Sequence, residues 1–93
     1  MREYELMVVF PIEEDKFKEF SDALRAIVDG SGAQIKSEES YGDRDLAYEI
    51  KKHKRGRYIL FNISSPPDKI IEMDRQIKLT QGILTYLFIR KDE

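Results

Sequence analysis

The sequence predicts an α+β fold: a ferredoxin-like β-α-β-β-α-β sandwich, a four-stranded antiparallel sheet with two helices on one face. Three observations predict it. Four segments show apolar residues at every second position, and two others show them at spacings of three and four. The two helical segments follow the first strand and precede the last. The chain has 93 residues, enough for a single domain, residues 1–93, with one core.

The first strand is Tyr4 to Phe10. Tyr4, Leu6, Val8 and Phe10 share one side, Met7 and Val9 the other, and Pro11 ends the ladder. Glu13, Glu14 and Asp15 then place negative charge where a helix N-terminus favours it. Phe17, Phe20, Leu24, Ile27 and Val28 form the buried stripe of that helix, and Gly30 and Gly32 supply its left-handed stop.

Extended structure resumes from Ala33 to Ser40, bends or bulges at Tyr41-Gly42-Asp43, and continues from Leu46 to Ile50. A basic loop follows, with Gly56 helping to turn the chain, before the strongest strand, Tyr58 to Ser64. Ser65-Pro66-Pro67-Asp68 reads as the start of the second helix, with Ser65 as cap and Asp68 as capping-box partner. Ile70, Met73 and Ile77 are its buried stripe, Gly82 ends the region, and Ile83 to Ile89 is the last strand. The first and third strands carry the richest apolar runs and are expected at the centre of the sheet.

Two helices cover one face of such a sheet. The side of the third strand holding Tyr58, Leu60 and Asn62 is expected to be the open one, with Met7 and Val9 beside it. In the last strand alternation separates Tyr86 and Phe88 from Leu87 and Ile89 and leaves open which pair is buried. An antiparallel sheet with one wet face normally alternates apolar with polar. Large apolar residues on both sides therefore point to a docking surface, for another protein or for a second copy of the chain.

Charge is distributed unevenly. The formal net charge is -2, yet five of the seven residues from Lys51 to Arg57 are Lys or Arg: Lys51, Lys52, Lys54, Arg55 and Arg57. A cationic tip on an acidic body is an anion site, and nucleic-acid phosphate is its first candidate ligand. Arg55-Gly56 resembles the opening of the third-strand signature of RNA-recognition motifs. The aromatic register then fails at Arg57 and Ile59, so base stacking on that strand is not expected.

Enzyme chemistry finds no support. There are no cysteines, hence no disulfide, thiolate site or cysteine nucleophile. The single histidine, His53, lies among lysines, no serine or threonine has His–carboxylate support, and no metal-ligand spacing occurs. Glu13-Glu14-Asp15 is explained by helix polarity and Glu38-Glu39 by a solvated edge. No cofactor, small-molecule substrate or membrane association is expected. No targeting or membrane-spanning run is visible, and a cytoplasmic location is expected.

The chain resembles protein six of the bacterial small ribosomal subunit. The resemblance runs through Met1-Arg2-Glu3-Tyr4-Glu5, Tyr41-Gly42, Arg44, Leu46-Ala47-Tyr48-Glu49-Ile50-Lys51-Lys52, Gly56, Tyr58-Ile59-Leu60-Phe61-Asn62, Pro66 and Leu84-Thr85-Tyr86-Leu87. It covers essentially the whole length. It implies the ferredoxin-like fold, no catalysis and work in the ribosome. It also implies binding to the central domain of small-subunit ribosomal RNA in a heterodimer with small-subunit protein eighteen. Arg2, Arg44, Lys51, Lys52, Arg90 and Lys91 match basic positions of that family. They join Lys54, Arg55 and Arg57 as the expected rRNA contacts. Met7, Val9, Tyr48, Tyr58, Leu60, Leu87 and Ile89 are the expected partner contacts. Asp43 and Asp45 flank Arg44 where many members are basic, which weakens that stretch as an RNA contact. The alternative function is a ferredoxin-like module that self-associates through its open sheet face.

Overall fold

Apolar alternation in the strands and apolar stripes on the helices give the expected element order. The computed structural model describes residues 1–91. They form β1 (Arg2–Phe10), α1 (Glu14–Gly30), β2 (Gln34–Ile50), β3 (His53–Ser65), a short 3-10 turn (Pro67–Lys69), α2 (Ile70–Leu79) and β4 (Thr85–Arg90). The sheet order is β2-β3-β1-β4, with every neighbouring pair antiparallel. The two strands richest in apolar residues are indeed central.

The main core lies between the sheet and the helices. Tyr4, Leu6, Val8 and Phe10 from β1 meet Ile59, Phe61 and Ile63 from β3, under Leu24 and Val28 of α1 and Met73 and Ile77 of α2. Register carries the rest: Leu6 stands opposite Phe88 and Val8 opposite Tyr86. Tyr86 and Phe88 therefore pack on the core, which resolves the choice in the last strand, and Leu87 and Ile89 point the other way. Tyr86 Oη donates to Asp74 Oδ1 at 2.7 Å and ties β4 to α2.

Helix α1 ends in a Schellman arrangement. Gly32 takes the left-handed conformation at φ 81°, its N–H donates to Asp29 O, and the Ala33 N–H donates to Val28 O. Gly30 is the last helical residue rather than part of the stop. At α2 the expected capping box does not form. Ser65 is still paired with Arg2 in the ladder, so its backbone belongs to the sheet. Its hydroxyl donates to Pro66 O, and the chain enters α2 through the 3-10 turn. The last strand starts two residues later than expected, because the Ile83 N–H donates back to Thr80 O in the connection from α2.

The greatest departure is the β2–β3 hairpin. Its strands run, through three register shifts in β2, to a two-residue turn at Lys51-Lys52, closed by the Ile50–His53 pair. Both turn residues have positive φ, 48° and 68°, the signature of a type I′ hairpin. The expected seven-residue loop is thus mostly strand. Gly42, at φ 84°, sits at one of the register shifts of β2, as the expected bulge.

Gly56 does not turn the chain. It is buried inside β3, and a Cβ there would collide with Val9 Cγ1 and touch Leu46 and Leu84. Beyond the last β1–β3 pair, Phe10 with Arg57, the hairpin pairs only with itself. It curls back so that Leu46 lies over Gly56 and the Lys51 ammonium donates to Gln81 O and Ile83 O, each at 2.8 Å.

Two glycine substitutions should move stability in opposite directions. Gly30→Ala has open space and a helical backbone, and should stabilise by about 0.4–1 kcal/mol. Gly56→Ala must displace Val9 and should destabilise by about 1–3 kcal/mol. Urea unfolding of both variants measures the two signs.

Candidate nucleic-acid and partner interface

The nine expected RNA-contacting cations fall into two groups at opposite ends of the sheet. Arg2 opens β1, Arg90 stands opposite Tyr4, and the Lys91 N–H donates to Glu3 O. The hairpin cations lie level with Phe10, as Arg57 does, or beyond it, at the other end of β1. Nine residues of strand separate the ends, roughly 25–30 Å at about 3.3 Å per residue. A nucleic acid touching both groups must span the molecule.

Within the hairpin the cations differ in what they already hold. Arg57 is committed inside the chain. Its Nε donates to Asp43 Oδ1 at 2.7 Å and Nη2 to Glu14 Oε1 at 3.0 Å, and the guanidinium stands 4.6 Å from the centre of the Phe17 ring. Its side chain is only 18% exposed. The Asp43 carboxylate, then Glu14, raises its already high pKa. Hydrogen bonding from Arg57 holds the Asp43 carboxyl below the ordinary carboxylate range. Arg57 thereby fastens the first turn of α1 to β2 and β3.

Arg55 pairs with Asp45 at 3.2 Å, and Arg44 donates to Tyr41 O at 3.0 Å. Lys51 spends two donors on carbonyls of the α2–β4 connection. Lys52 and Lys54 are exposed and form no ion pair among the described residues. These two present the least encumbered charge at the hairpin tip.

The seven expected partner contacts also divide. Leu60, Met7 and Leu87 stand opposite one another across β3, β1 and β4 on the helix-free face, with Val9 opposite Tyr58 and Ile89 opposite Glu5. Leu87 is 60% exposed and Ile89 43%, whereas Val9 and Leu60 are 3% and 6% exposed. The inner part of this face is therefore sealed by the chain itself, and Leu46 of the curled hairpin contributes to the seal. Met7 and Tyr58 are half-buried at its margin. Tyr48 is exposed on the hairpin, and no strand pairing joins it to the others.

On the same face Asn62 Nδ2 donates to Ser37 Oγ and Glu39 Oε2, at 2.9 and 2.8 Å. These polar residues border the apolar row on the β2 side.

Sequence reasoning missed the role of Leu46 as a cover, the internal commitment of Arg57, and the exposed Ile71 and Leu79 on the outside of α2. The apolar spacing of Leu46 was visible, but its contact depends on how the hairpin curls. The Glu14–Arg57 pair joins residues 43 apart and has no local signature.

Comparisons with known proteins agree in one direction. The family model described as ribosomal protein S6 matches residues 3–90. Small ribosomal subunit protein bS6 of Treponema denticola is 59% identical over 93 residues, covering 100% of both chains. The bS6 protein of Treponema pallidum strain Nichols is 47% identical over 92 residues, covering 99% of both. A crystal structure of 30S ribosomal protein S6 from Thermotoga maritima superposes with a TM-score of 0.85. It shares 24% identity, over 97% of this chain and 87% of that one, and bears on the fold.

The Asp43–Arg57 contact predicts an acid-dependent loss of stability. Asp43 has a lower pKa folded than unfolded, so its contribution is full above the unfolded value of about 3.9 and disappears as pH falls through the folded value. Asp43→Asn should cost about 0.5–1 kcal/mol at pH 7 and flatten the stability profile below pH 4. Thermal unfolding between pH 2 and 7 reads both effects.

Proposed function

The chain belongs to the ribosomal protein S6 family and is a protein of the small ribosomal subunit; from that premise we propose that it binds the central domain of small-subunit ribosomal RNA together with small-subunit protein eighteen. Its family consists of structural ribosomal proteins rather than enzymes. Its place is with the ribosome in the cytoplasm. Separately, no helix among the described residues is long and apolar enough to cross a membrane.

The observation that carries this reading is the uncovered edge of the sheet. Leu87 and Ile89 are large, apolar and exposed on the helix-free face, beside the half-buried Met7 and Tyr58. Burying such a row against a protein contributes roughly 25 cal/mol per Å² of apolar surface removed from water. Protein eighteen docks there, along β4 and β1.

RNA phosphate is met at the two cationic ends. Lys52 and Lys54 reach out from the hairpin tip, and Arg2 and Lys91 serve the other end. Such contacts position the protein on RNA and carry little sequence information. Arg57 stabilises the fold, and its Nε and Nη2 donors, engaged with Asp43 and Glu14, leave it a weaker phosphate contact than Lys52 or Lys54.

Binding of the chain to a central-domain rRNA fragment, with and without protein eighteen, tests the reading over a salt series. Lys52→Gln and Lys91→Gln should each lower the slope of log affinity against log salt by about 0.7–0.9, and their effects should add. Leu87→Glu should leave unfolding within about 0.5 kcal/mol of wild type yet abolish binding of protein eighteen. A stable homodimer indifferent to both RNA and protein eighteen would instead identify a self-associating module.

A further inference from the structure

A second basic feature lies behind the hairpin turn. Four separate segments converge on a shallow groove of about 220 Å³: Pro11 after β1, Lys16 and Phe20 of α1, Lys51 and His53 of the hairpin, and Gln81, Gly82 and Leu84 before β4. Pro11, Phe20 and Leu84 are apolar; Lys16, Lys51, His53 and Gln81 are polar. No carboxylate lines it, in a chain whose acidic residues outnumber its lysines and arginines.

The groove is held open by its own packing. Gly82 is required because any Cβ there would strike the Phe20 ring. Lys51 is anchored by its two bonds to Gln81 O and Ile83 O, so one ammonium is fixed at the groove without side-chain freedom to lose. Lys16 forms no ion pair among the described residues. His53 lies one residue from each of the exposed Lys52 and Lys54.

We propose that this groove seats a backbone phosphate of the bound RNA, held by Lys16, His53 and the anchored Lys51. Two lysine charges and an imidazole N–H suit a phosphodiester oxygen pair, and apolar walls displace competing water. The groove adjoins Lys52 and Lys54, so one strand passing the hairpin tip continues across it toward α1. This rests on the RNA-binding reading above and adds Lys16 and His53 to the contact set.

The test compares the wild-type chain with Lys16→Gln and with the Lys16→Gln/His53→Gln double variant. The probe is the central-domain rRNA fragment in complex with protein eighteen, at pH 7, over 50 to 200 mM salt. Lys16 is exposed on a helix, so its single variant keeps the fold and carries the test by itself if the double variant unfolds. The salt slope should fall by about 0.7–0.9, which makes the loss of affinity across that range about threefold smaller than for wild type. Wild-type slope and affinity in these variants would overturn the groove while leaving the RNA-binding reading intact. Loss of affinity for protein eighteen with an unchanged RNA slope would assign the groove to an acidic protein segment and overturn it as well. A wild-type chain without RNA affinity would overturn both readings.

Discussion

Helix is the scarce material in this chain. Seventeen residues of α1 and ten of α2 lie over one face of a four-stranded sheet and cannot reach round it. That constraint decides the rest. The helix face receives Tyr4, Leu6, Val8, Phe10, Phe61 and Ile63 and becomes the core. The opposite face must find other cover. The hairpin provides some by curling back, so that Leu46 approaches Val9 and Leu84 across Gly56. Leu87 and Ile89 lie beyond its reach and remain wet.

Electrostatics follows the same geometry. Acidic residues serve the body: Glu14 and Asp43 hold Arg57, Glu38 holds Arg25, and Glu72 holds Arg75. Among the cations outside such pairs, Lys52 and Lys54 stand at the hairpin tip, and Arg2 and Lys91 at the other end of β1. A count of positive residues between Lys51 and Arg57 overstates the charge available to a ligand. Arg57 is a fastener and Arg55 is paired, while Lys51 braces a strained turn with two of its three N–H donors and keeps its charge at the groove. Positive φ at two successive lysines is uncommon without a compensating contact, and the two carbonyl bonds of Lys51 supply one.

Alternation and helical spacing made the element order, the central strands and the core legible from sequence, because those patterns follow directly from strand and helix periods. The direction of β4 was not legible, since Tyr86, Phe88, Leu87 and Ile89 are all large and apolar. Only the register of Leu6 with Phe88 separates them. The hairpin departs from the sequence pattern for a related reason. A basic loop with Gly56 helping to turn it is expected, whereas Gly56 is needed for close packing inside β3 and two lysines make the turn. Ser65 looked like a cap, but its pairing with Arg2 keeps it in the sheet. Of the site, residue types were visible, but not their division into two ends or the commitment of Arg57, because both depend on contacts distant in sequence.

In the proposed assembly the chain meets protein eighteen with the helix-free side of its sheet. Hydrogen exchange of the chain alone and with protein eighteen tests it most directly. Slowed exchange along Thr85–Arg90, with the outer surfaces of α1 and α2 unchanged, is the predicted result. Slowed exchange confined to the helices, with β4 exchanging as in the free chain, would contradict it.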